Sequence, residues 1–257
     1  MEHIIEEAAV AAFAQELFER ERAKETIDRY QHQLHTFIYW SAGKTVTKEM
    51  TVRYKQWLIE RYSPTSVNVA LAALNNFFKF MGWQECQVRP VRVQRRHYAE
   101  PCRELTRQEY YRLLNAARQK GDLRLFYLLE TTCSTGIRVS ELCFITVKAV
   151  RRGRADICNK GKFRTILLPR RLCEKLLRYC SGRRITEGSI FVTRSGKPIN
   201  RSNIWAMMKA LCKRAQVSAR KVFPHNLRHL FARCFYQCQQ DLEHLASLLG
   251  HSSINTT

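Results

Sequence analysis

The sequence predicts a mostly helical (α+β) chain of two domains: a helical bundle, then a larger helical domain with a small antiparallel three-stranded sheet. Three observations predict it. Apolar residues recur at three-to-four spacing through most of the 257 residues. That period breaks in GRADICNKGKFRTILLP, where two short β-type runs flank a turn. Charge is also divided. Residues 1–89 hold 11 Lys+Arg and 11 Asp+Glu, whereas residues 90–257 hold 33 and 11.

Taken in order, IIEEAAVAAFAQELF and AKETIDRYQHQLHTFIYW read as the first two helices. TKEMTVRYKQWLIERY resumes the pattern after the breaker Gly43. SPTSVNVALAALNNFFKFMG opens with Ser63 as N-cap and Pro64 at the first helical position, and stops at Gly82. These four helices fit a bundle over residues 1–89. Asn68, Asn75, Asn76 and Lys79 sit among its apolar positions. They either face a phosphate backbone or are ordinary surface polarity. Residues 90–103, with two prolines and several arginines, read as an extended basic linker. The second domain, 104–257, starts with a capping box of Thr106 and Glu109. GDLRLFYLLETTCSTG is a helix ending near Gly136. The hairpin follows, with a tight turn at Asn159–Lys160–Gly161, and SIFV at 189–192 is the third strand. RRLCEKLLRYC, RSNIWAMMKALCKRA, PHNLRHLFARCF and DLEHLASLLG are helices.

Composition narrows the function. At 45% hydrophobic residues there is material for a core. No run of 18 apolar residues predicts a membrane span. The acidic N-terminus does not read as a signal peptide. Ten cysteines without CxxC spacing read as small core residues in a reducing cytoplasm. The formal net charge of +22 calls for a polyanion. Because the cations are interleaved with folded segments, nucleic acid is favoured over a membrane surface.

Four pieces carry candidate site residues. In TGIRVSEL, Arg138 stands at a helix start, where the helix dipole disfavours a cation, and Glu141 three residues on can brace it. Lys160 is at the hairpin tip, with Lys162 close by. In HNLRH, His225, Arg228 and His229 share one stripe. In LLGHSSINTT, His251 follows the helix-ending Gly250. A zinc reading of His225 and His229 lacks the Glu that HExxH needs, since position 226 is Asn. No metal and no cofactor are called for.

With TGIRVSEL, NKGKFRTILLP, PHNLRHLFA and LLGHSSINTT in this order, the second domain resembles the tyrosine recombinases, or phage-type integrases, of the Xer-like branch. The preceding helices look like the SAM-like core-binding domain of that family. The resemblance implies site-specific cutting and rejoining of double-stranded DNA through a 3′-phosphotyrosyl intermediate, with other protomers assembling in a tetrameric synapse. Arg138 and Arg228 match the phosphate-binding arginines and Lys160 the proton donor to the leaving 5′-oxygen. His225 matches the acceptor of the nucleophile's proton, and His251 a hydrogen-bond donor to the phosphate. Lys162, Arg164, Asn68, Asn75 and Lys79 are the further candidates for DNA contact. The sequence departs from the pattern at the nucleophile. The family's tyrosine follows a Thr-Thr pair by a few residues, and here Thr256 and Thr257 are the last residues. Tyr236, nearest in sequence to Arg228, reads as core or surface. The expectation is therefore a recombinase truncated just before its tyrosine, able to bind DNA but not to form the covalent intermediate. The alternative is a noncatalytic DNA-binding protein of the same shape. Type IB topoisomerases share the chemistry, but the Xer-like strings argue against them.

Overall fold

The computed structural model describes residues 3–93, 103–159 and 162–250, with only the backbone of Asn159 and Lys162. The chain divides into two compact units, Met1–His97 and Tyr98–Thr257.

The first unit is built on α1 (Glu7–Glu19), α2 (Lys24–Ser41), α3 (Lys48–Arg61) and α4 (Pro64–Phe80). Thr47 caps α3 by accepting the Met50 N–H, and Ser63 caps α4 by accepting the Ser66 N–H ahead of Pro64. α4 is the central element. Val67, Ala70, Leu71, Leu74, Phe77 and Phe78 follow the helical period and are all buried. They meet Phe13, Leu34, Phe37 and Tyr54 from the other three helices.

Asn68 and Asn75 lie seven residues apart on α4, and both turn toward the chain that follows it. Asn68 Nδ2 donates to Val91 O (2.9 Å), and Val91 N donates back to Asn68 Oδ1 (2.7 Å). Asn75 makes the same pair with Val88, at 2.8 and 3.0 Å. Each carboxamide imitates a β-ladder partner for an otherwise unpaired extended segment. In this structure the carboxamides of Asn68 and Asn75, expected among the candidates for DNA contact, are engaged with backbone. The same pairing moves Val91, expected in the linker, into the packing of the first unit. Lys79 is exposed near the end of α4. Asn75→Ala strips both partners from the Val88 peptide. The expected loss is about 1–3 kcal/mol of unfolding free energy, read by urea denaturation.

The second unit comprises α5 (Arg107–Gln119), α6 (Leu123–Thr135), a 3₁₀ helix (Val139–Phe144), α7 (Val147–Arg152), β1 (Arg154–Asn159), β2 (Lys162–Leu167), α8 (Arg170–Arg183), α9 (Arg201–Ala215), α10 (Pro224–Gln239) and α11 (Leu242–Leu249). The Thr106–Glu109 capping box starts α5 in both of its hydrogen bonds. One core gathers Leu113, Leu125, Leu129, Ile145, Ile190, Phe191 and Leu227. β1 and β2 are antiparallel, from Arg154↔Leu167 to Asn159↔Lys162. Ala155, Ile157 and Ile166 face the core, while Phe163 and Leu167 face outward.

The sheet has two strands among the described residues, not the expected three. Residues 189–192 make only isolated bridges, Thr146↔Ser189 and Val192↔Pro198. Ile190 and Phe191 are consecutive and both fully buried, so this run fills core on both of its sides while pairing with its neighbours at single points. No described helix is long and apolar enough to cross a membrane.

Candidate active site

The site is organised by the carbonyl end of α11. A helix C-terminus leaves its last C=O groups without intrahelical partners and carries partial negative charge. Three consecutive carbonyls there each accept a different arginine. Leu248 O accepts from Arg164 Nη1 (3.2 Å), Leu249 O from Arg228 Nη2 (2.6 Å), and Gly250 O from Arg138 Nη2 (3.3 Å). These arginines come from β2, α10 and the start of the 3₁₀ helix, so three distant segments are drawn to one point.

A second anchor is Glu141, which is 2% exposed. Its Oε1 accepts from Arg138 Nη1 (3.0 Å) and its Oε2 from the Arg138 backbone N–H (2.9 Å) and Arg164 Nη2 (2.5 Å). Burial alone would push this carboxyl up. The Arg138 hydrogen bonds and the Arg164 charge outweigh that and hold it below its ordinary range. Arg228 is buried and also donates from Nη1 to Gly136 O (2.6 Å). Burial, then the charges of Arg138 and Arg164, push its guanidinium down to about 10. It stays cationic at neutral pH, but at an electrostatic cost that a bound anion would relieve. Among the described residues, Arg138 and Arg164 both pair with Glu141, and Arg228 lies near enough to feel its charge.

Two glycines permit the close approach. Gly136 and Gly250 end α6 and α11 with φ of +63° each. A Cβ on Gly136 would lie 2.5 Å from the Phe231 ring, and one on Gly250 would lie 2.7 Å from Arg164 Cδ.

One pocket is lined by Arg138, Ser140, Arg201, Trp205, His225 and Arg228. It brings together three of the expected site residues. Lys160 and His251 lie outside the described residues, as does the side chain of Lys162. Arg164, expected to touch DNA, is instead turned inward onto Glu141 and Leu248 O, because a buried carboxylate and a helix end outbid solvent for its fork. Arg201 and Trp205 were missed. Arg201 is the first residue of α9, where the dipole again disfavours a cation. The signal that singled out Arg138 was there to be read. Asn226, where a zinc-protease helix would carry Glu, is buried and donates to Arg103 O and Lys221 O at 2.7 Å each.

The His225 and His229 rings stand edge to face, 4.4 Å between centroids. Partial burial, then His229, Arg228, Arg138 and Arg201, lower the His225 pKa. Its imidazole is therefore neutral at pH 7 and able to accept a proton. An NMR titration of His225 is expected to give a midpoint below 6.5, and Arg201→Gln is expected to move it upward. A midpoint at or above 6.5 would contradict this electrostatic reading.

Comparison with known proteins agrees with this geometry. The profile described as "Phage integrase family" matches residues 103–257, and that described as "Phage integrase, N-terminal SAM-like domain" matches residues 10–85. Tyrosine recombinase XerA of Pyrococcus furiosus is 28% identical over 244 residues, covering 92% of this chain and 82% of that protein. Tyrosine recombinase XerD of Halalkalibacterium halodurans is 28% identical over 264 residues, covering 93% and 87%. The fold is shared with a lambda integrase tetramer bound to a Holliday junction, at a TM-score of 0.76 and 19% identity, over 97% of this chain and 78% of that one. The arginine-lined pocket thus sits within a matched profile that spans more than half of the sequence, and the chain belongs to the phage integrase family of tyrosine recombinases.

Proposed function

We propose that this chain binds double-stranded DNA and supplies the phosphate-activating machinery of site-specific recombination through a 3′-phosphotyrosyl intermediate. The observation that carries the reading is the pocket in which Arg138, Arg228 and His225 meet, with Arg228 buried and still cationic at neutral pH. A phosphodiester entering it would draw N–H groups of the two guanidiniums, each with five donors, onto its nonbridging oxygens in competition with the carbonyls they now meet, and extra charge in the pentacoordinate transition state would be stabilised most. His225, held neutral, accepts the nucleophile's proton. Lys160 donates to the leaving 5′-oxygen and His251 hydrogen-bonds the phosphate. Arg201 and Trp205 extend the contact along the strand. Lys162 and Lys79 add backbone contacts. Relatives solved with DNA and as a tetramer support duplex DNA, and further protomers, as partners. The described lining of the pocket contains no tyrosine, and Tyr236 is about two turns along α10 from Arg228.

The second reading, a noncatalytic DNA-binding protein, is separated by one experiment. Duplex fragments flanking the gene are selected for retention by the chain. A retained fragment is then treated with hydrogen peroxide as a small exogenous nucleophile. Hydroperoxide attacks phosphorus, the 5′-oxygen leaves and takes up a proton, and the phosphorus stays on the 3′ side. Breakage at one phosphate with a free 5′-hydroxyl supports the enzyme reading. Retention without breakage supports the noncatalytic one. Retention is expected to weaken steeply with added salt, since phosphate contacts release counterions.

A further inference from the structure

Outside the pocket, one group of metal-type donors lies together among the described residues. The donor atoms of His3, Glu85 and Cys86 are all within 4.8 Å of one another. We infer that these residues form a binding site for a zinc-type divalent cation, tying the start of the chain to the end of the first unit.

Two of the donors, His3 and Cys86, are held in place by their surroundings, and Glu85 meets the His3 ring. The His3 ring stacks on Trp83, with centroids 4.5 Å apart and planes 23° apart, and its Nε2 lies 2.6 Å from Glu85 Oε1. The His3 carbonyl accepts the Val46 N–H at 2.6 Å. Cys86 is buried, and its thiol makes a long bond, 3.7 Å, to the carbonyl of the same Val46. Glu85 and Cys86 are adjacent in the 3₁₀ turn Gln84–Cys86. The Val46 peptide thus seats both sides of the group.

The donor set selects the ion. Imidazole, thiolate and carboxylate together suit zinc, whereas magnesium and calcium prefer oxygen alone. Zinc bonds of about 2.0–2.3 Å place tetrahedral ligands roughly 3.3–3.8 Å apart. The His3–Glu85 pair stands closer than that, at 2.6 Å, and all three donors lie within 4.8 Å of one another, so ligation needs only small side-chain shifts. A thiolate and a carboxylate neutralise the divalent charge. Glu85 is exposed, which leaves the fourth position to water. Because His3 and Glu85 are 82 residues apart, the ion would close nearly the whole unit. It would bind the folded chain and not the unfolded one, and so stabilise the fold.

The test uses reduced, chelator-treated protein without a histidine tag. Cobalt(II) is the optical probe and zinc the competitor. Expected are a thiolate-to-cobalt charge-transfer band, its displacement by zinc, and a zinc-dependent rise in Tm. Cys86→Ser should remove the band, and His3→Gln should weaken cobalt and zinc binding by more than about tenfold. His3→Gln, at a partly exposed position near the chain start, keeps the test valid if Cys86→Ser does not fold. No band and no Tm shift in the parent overturns the site. So does a band that survives Cys86→Ser, which would assign the ion to other cysteines, or a cobalt affinity that His3→Gln leaves unchanged.

Discussion

With Arg228 replaced by lysine, peroxide-dependent strand breakage is expected to fall by about 10²–10³-fold, the usual cost of removing a preorganised donor to a transition-state oxyanion. Duplex affinity should stay within about threefold of the parent, because many other cations carry it. Lysine keeps the charge but loses the planar fork. The fork now spans Gly136 O and Leu249 O, both at 2.6 Å, and so fixes where the cation stands. Lysine is also the gentler change at a buried site, where alanine would leave two carbonyls unpaired. Breakage equal to the parent's would remove Arg228 from the reaction.

The second large effect is on stability. Glu141→Ala should cost about 3–5 kcal/mol in chemical denaturation, since it leaves two closely placed arginines without their shared, buried counter-charge. Glu141→Gln gives the pH dependence. The Glu141 carboxyl is held below its ordinary value of 4.5 in the folded chain, so its contribution is fully present above that value. It is lost as pH falls through the depressed folded value. The stability gap between parent and Glu141→Gln should be flat at neutral pH and close on acidification. A gap that persists in acid would mean that shape, not charge, is what Glu141 contributes.

Local signals in the sequence reported local structure well. Ser63 with Pro64, and Thr106 with Glu109, act within one helical turn, and the structure shows the caps they predict. What was not legible depends on partners far along the chain. Asn68 and Asn75 read as facing a phosphate backbone or solvent because Val91 and Val88 lie 23 and 13 residues away, and nothing in α4 announces an extended segment beside it. Arg164 read as a DNA contact because Glu141 lies 23 residues upstream. Residues 189–192 had strand composition, but composition does not say whether both faces will be buried. Arg138, His225 and Arg228, named through motif order, line one pocket together. Arg201 was not named, although it breaks the same rule of helix electrostatics as Arg138.

Gly136 and Gly250 also bear on how this protein tolerates change. Each combines a backbone angle that side chains avoid with a space already filled, by Phe231 and Leu249 at one and by Arg164 at the other. Their neighbours are thereby locked in too: a bulkier residue at either position would need several simultaneous replacements before the chain could close again. Saturation mutagenesis scored by DNA retention should therefore find two isolated columns where no alternative survives. Gly43, Gly82 and Gly121 share the angle but have nothing within 4 Å of an added methyl, and there asparagine should pass.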